Sequence, residues 1–206
     1  MELLLQFGIG FVIALSGALI PGPLLVAVIR SSLKKGKKTG FYTSMGHIMV
    51  EIFIIFGVIL GISTLILSEK TQNYIGILGG FFLILFGSIT FYESRKVEKF
   101  TIKETNGVSG GIVTGITFTF FNPTFPIWWA TIGFAMLSDA YYTTSLLGTF
   151  FWILGHFCAD IFWFSLVSIM VCKNKSIVGT KAHKYLILIC GTIMIAIGTL
   201  FLVKYI

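Results

Sequence analysis

The chain has 206 residues, of which 56% are hydrophobic and 11% charged, with a mean hydropathy of +0.95. A soluble domain carries about 25% charged residues, so this chain is too poor in charge to cover a water-facing surface. The net charge of +7 lies between apolar runs rather than in one basic domain. This speaks against a nucleic-acid partner and points to the Lys and Arg excess of cytoplasmic membrane loops.

Six apolar runs follow in chain order, at 6–29, 41–67, 74–92, 109–137, 143–172 and 185–203. Each is long enough for the ~20 residues that a spanning helix needs. No basic segment precedes the first run, so it is expected to remain as an uncleaved first helix. The loop after span 1 carries Arg30, Lys34, Lys35, Lys37 and Lys38. The loop after span 3 carries Arg95, Lys96, Lys99 and Lys103, and the loop after span 5 carries Lys173, Lys175, Lys181 and Lys184. Thirteen of the fifteen basic residues thus fall on one side, which predicts three loops inside and both termini outside. The expected fold is an all-α, multi-pass protein of the cell (cytoplasmic) membrane.

The two halves resemble each other. Span 2 reads Gly46-His47-Ile48-Met49-Val50-Glu51-Ile52-Phe53, and span 5 reads Gly155-His156-Phe157-Cys158-Ala159-Asp160-Ile161-Phe162. Span 3 carries Gly80 and Gly87; span 6 carries Gly191 and Gly198 at the same spacing. All four prolines fall in two matched places, Pro21 and Pro23 in span 1, Pro123 and Pro126 in span 4. Three spans per copy is an odd number, so the second copy enters the membrane inverted. The expected organisation is a first three-helix repeat at 1–92, a polar cytoplasmic linker at 93–108 and a second three-helix repeat at 109–206.

Proline removes a backbone donor and clashes with the preceding turn, so spans 1 and 4 should break near 20–24 and 122–126. Matched breaks in two repeats point to a transport site near the membrane midplane. The candidate substrate-binding residues are Pro21, Gly22, Pro23, Asn122, Pro123 and Trp128. An ionisable side chain inside a span costs at least ~2.5–3.5 kcal/mol on insertion scales, which marks Glu51 and Asp160 as functional candidates. Each has a histidine four residues earlier, on the same helix face, so His47, Glu51, His156 and Asp160 are expected to handle protons. The same residue types also suit a divalent cation, and a metal exporter is the alternative reading. A His–carboxylate bond that merely joins helices is the third.

Glycines four apart at 57/61, 76/80 and 107/111/115 allow close helix approach and suit a homodimer face. Tyr141 and Tyr142 look like an interface belt. Cys158, Cys172 and Cys190 show no metal-ligand or redox spacing and are read as packing. No nucleotide loop, nucleophile elbow or zinc-protease motif is present, so no enzyme activity, cofactor or resident metal is expected.

The segment Ala18-Leu19-Ile20-Pro21-Gly22-Pro23, the basic loop with Gly36 and Gly40, and a glycine-containing second helix with an acid resemble the amino-terminal half of the LysE/RhtB family of amino-acid exporters. Phe121-Asn122-Pro123 resembles the Asn-Pro-Lys motif of that family's second half, although Thr124 stands at the lysine position. The resemblance covers essentially the whole chain. It implies export of amino acids or related metabolites in exchange for protons, with the lipid bilayer as surroundings.

Overall fold

The computed structural model describes residues 1–19, 22–61, 68–95, 108–173 and 181–205. These are helical throughout, with no strand among them. In chain order the helices are α1 (Glu2–Ala18), α2 (Pro23–Lys35), α3 (Thr39–Ile59), α4 (Glu69–Arg95), α5 (Val108–Phe120), α6 (Thr124–Trp128), a π-helical turn (Trp129–Gly133), α7 (Phe134–Lys173) and α8 (Lys181–Tyr205). By length and apolar content, Thr39–Ile59, Glu69–Ile89 and Thr124–Lys173 each suffice to cross a membrane, and α1 with α2 qualifies as one bent pair. Most of the linker expected at 93–108 lies outside the described residues.

Both expected breaks are present. α1 stops at Ala18, and α2 restarts at Pro23, with the two axes bent by 82°. Pro23 occupies the first turn of α2, where its missing N–H costs nothing. α5 stops at Phe120, and α6 starts after Pro123.

Two boundaries differ from the sequence reading. The second span ends at Ile59, and the chain turns at Gly61 with φ of 88°; residues 62–67 lie outside the description. Gly61 therefore serves a turn, where glycine carries no Cβ penalty, rather than the packing face expected of 57/61. The loop expected at 138–142 is helical. The chain breaks instead at Ser145 (φ 61°, ψ −164°), inside what is otherwise one 40-residue helix. The 50 residues of Thr124–Lys173 would run about 75 Å if straight, far beyond the ~30 Å hydrocarbon core. No Gly or Pro marks residue 145, so composition alone does not reveal it.

Glycine sets the helix pairing. A Cβ on Gly10 would strike the Trp152 carbonyl, and one on Gly155 would strike the Phe7 carbonyl. With Gln6 bonded to Thr143 at 3.0 Å and the Phe11 ring tilted against that of Phe162, α1 and α7 run parallel. In the same way Gly46 packs on Ile112, Gly115 on Thr43 and Gly111 on Tyr42, so α3 and α5 run parallel. α4 and α8 run antiparallel: a Cβ on Gly80 would lie 2.9 Å from the Gly198 carbonyl, and one on Gly87 would lie 2.9 Å from that of Gly191. Such backbone approach is how helices associate where no hydrophobic force drives them together. These pairings leave the space between α3, α7 and the two breaks as the centre of the molecule.

Candidate functional site

α3 and α7 cross with their polar faces together. His156 Nε2 lies 3.0 Å from Glu51 Oε1 and 3.5 Å from Asp160 Oδ2; His47 Nε2 lies 3.4 Å from Glu51 Oε1 and 3.9 Å from Asp160 Oδ1. The i,i+4 spacing puts each histidine beside its own acid, and the helix crossing puts it beside the other helix's acid as well. Trp129 Nε1 donates to Glu51 Oε1 at 3.3 Å, and Thr119 Oγ1 meets His47 Nδ1 at 2.8 Å. Glu51 is 2% exposed and Asp160 3%. Removing one partner from such a buried set leaves an uncompensated charge, a penalty of ~3–5 kcal/mol.

The cluster opens on a cavity of about 180 Å³, well above the ~10–15 Å³ that admits one water. Gly22 lines it from the first break, Asn122 and Thr124 from the second. Asn122 Oδ1 accepts from the Thr124 amide at 3.2 Å and the Thr124 hydroxyl at 2.8 Å, an Asx turn that shapes the second break. Among the described residues the start of α2 has no side-chain cap, and Leu24 and Leu25, whose amides lie in its uncapped first turn, are on the cavity wall. Trp128, Trp129, Phe125 and Phe164 form aromatic walls, and no Lys or Arg is among the lining residues.

Of the residues singled out from sequence, Gly22, Asn122, Trp128, His47, Glu51, His156 and Asp160 all line this one cavity. Pro23 is buried at the start of α2, and Pro123 packs on Gly79 of α4; neither is among the lining residues. Pro21 lies outside the described residues. Trp129 and Thr119, outside the candidate site residues named from sequence, carry further contacts. Trp129 stands at the start of a π-helical turn (Trp129–Gly133), and such turns are frequent at functional sites. Its signal in the sequence is the Trp-Trp pair directly after a break. Thr119 has no signal beyond its register in the repeat.

The donor set is also one that a cation would accept. One ligand atom each from His47, Glu51 and Asp160 lies within 4.8 Å of the others. Within that set His47 Nε2 lies 3.4 Å from Glu51 and 3.9 Å from Asp160, against the ~3.4 Å edge of a tetrahedral complex with ~2.1 Å bonds.

The described residues thus combine helices long and apolar enough to cross a membrane with a buried polar cluster facing two helix breaks. A family model described as LysE type translocator matches residues 15–205, and the chain belongs to that family. It is accordingly a multi-pass membrane protein that moves small molecules, as the resemblance in its motifs implied. No solved structure matches it.

Proposed function

We propose that the protein is a secondary transporter of the cell membrane that exports amino acids or similar small metabolites in exchange for protons. The observation that carries this reading is that both helix breaks and the His47–Glu51–His156–Asp160 cluster open on one cavity. A zwitterion finds complementary groups there. Glu51 and Asp160 face its ammonium, while the uncapped start of α2 and the Asn122 amide suit its carboxylate. A family lysine that could have met that carboxylate is absent, with Thr124 in its place. Two carboxylates and two imidazoles within bonding reach can take up a proton as a cationic solute leaves and give it up as one arrives, so that each exchange leaves the net charge of the site unchanged. The reading includes six spans, both termini outside and two inverted repeats. It is supported by parallel packing of spans 1 with 5 and 2 with 4, antiparallel packing of 3 with 6, and the basic-loop asymmetry.

The test is flux from liposomes holding the purified protein and a mixed amino-acid pool under an imposed pH gradient. The native chain should release one or a few amino acids. Glu51→Gln and Asp160→Asn should each cut that release by at least about tenfold, the scale of one lost charged hydrogen bond. No release from correctly folded protein would reject amino acids as cargo.

A divalent cation is the second reading, favoured by the donor separations around His47, Glu51 and Asp160. Loading the same liposomes with Mn²⁺, Co²⁺ or Zn²⁺ separates the two. A metal exporter loses flux on substitution of either histidine.

A further inference from the structure

The two histidines of the cluster are not equivalent. His47 Nδ1 is tied to Thr119 Oγ1 at 2.8 Å. His156 is 3% exposed, and its Nδ1 is buried with no hydrogen-bond partner among the described residues. Helix register explains the difference. Gly46 packs on Ile112 O and Ile116 N, and Gly155 packs on Phe7 O and Phe11 N. Residue 112 thus corresponds to 7, and 116 to 11, which makes Ala14 the counterpart of Thr119. Ala14 is buried and lines the cavity, and it carries a methyl group where Thr119 carries a hydroxyl.

The Nε2 of His156 lies 3.0 Å from Glu51 Oε1. An ionised carboxylate only accepts, so in the neutral ring Nε2 carries the proton and Nδ1 presents a lone pair. Around this ring stand three indoles, Trp129, Trp128 and Trp152, with centroids 5.0, 5.4 and 5.4 Å away. Indole faces attract cations, and Glu51 and Asp160 supply the negative charge.

We propose that His156 Nδ1 is the acceptor for an N–H of the transported solute, which makes the substrate class a protonated amine with at least one N–H and excludes a quaternary ammonium. His47 has the other role: it lines the same cavity, but with Nδ1 held by Thr119 and Nε2 turned to Glu51 and Asp160 it offers the solute no free acceptor. This rests on the cavity being the transport site. It adds a criterion that charge and aromatic walls alone do not impose, since a quaternary ammonium satisfies the walls but has no N–H to donate.

Purified full-length protein in detergent is titrated with methylammonium and with tetramethylammonium, with intrinsic tryptophan fluorescence as the readout. His156→Asn and His156→Gln supply the controls. The Asn amide reaches about the Nδ1 position, and the Gln amide about the Nε2 position. Methylammonium affinity should fall at least about tenfold in His156→Gln and be largely retained in His156→Asn. Tetramethylammonium should bind both variants alike. Ala14→Ser, which offers Nδ1 an internal partner, should weaken methylammonium selectively. Equal losses in the Asn and Gln variants, or the same response to both cations, would overturn the assignment. Selective methylammonium binding in a protein that fails the liposome assay would reject the transport reading and retain the acceptor. Amino-acid flux without that selectivity would do the reverse.

Discussion

At the scale of single residues, the site is built from side chains that a membrane span ordinarily excludes. Glu51 receives the Trp129 N–H and lies in reach of both imidazoles, so it is the centre of the cluster. Trp129→Phe keeps one aromatic ring but deletes the N–H donor and the second ring of a fully buried side chain, so the cost of the lost hydrogen bond is a lower bound. The expected cost is at least about 1 kcal/mol of stability, seen as a lower melting temperature of the purified protein, together with slower liposome flux. The His-x-x-x-acid pairs were legible because polar residues are scarce in apolar helices and the motif occurs twice. That His156 reaches Glu51, 105 positions away, follows from a helix crossing that spacing along one helix does not encode. Thr119 was invisible for a related reason: a threonine in an apolar helix commonly bonds its own backbone.

At the scale of elements, the breaks were the readable part, because proline acts through local sterics. The restart at Pro23 and the Asx turn at Asn122 place two helix ends at one cavity. Apolar clusters flank the cavity beyond each break. Leu24 and Val28 of α2 pack with Phe164 of α7 on one side, where Ser32 also bonds Ser168 at 2.8 Å. On the other side Ile55 and Val58 of α3 pack with Trp129, Leu137, Ala140 and Trp152. Ser145 was not legible, since its backbone conformation is imposed by packing around the turn rather than by residue type. A non-glycine residue held in that region costs ~1–3 kcal/mol. Ser145→Gly should therefore raise the melting temperature of the detergent-solubilised protein, with a gain of about 1 kcal/mol.

At the scale of the molecule, the basic loops and the helix pairing make one prediction about orientation. In a chain whose three native cysteines are replaced by serine, Lys38→Cys should react with a membrane-impermeant maleimide only after the cells are opened. Tyr142→Cys, at a position 85% exposed, should react in intact cells. The reverse pattern would invert the assigned topology. The recurrence of glycines was readable as close packing, but their partners were not: 80 with 198 and 87 with 191 pair across the two halves, whereas the sequence shows each spacing only within its own helix.

The same pairing bears on how the chain is made. α1 finds its partner in α7, α3 in α5 and α4 in α8, so each helix of the first half waits for one that is synthesised later. The glycine faces of α1, α3 and α4, and the buried acid of α3, are therefore synthesised before the helices that cover them. Until α5, α7 and α8 follow, those faces lack these partners, which ties assembly of the core to translation of the second half.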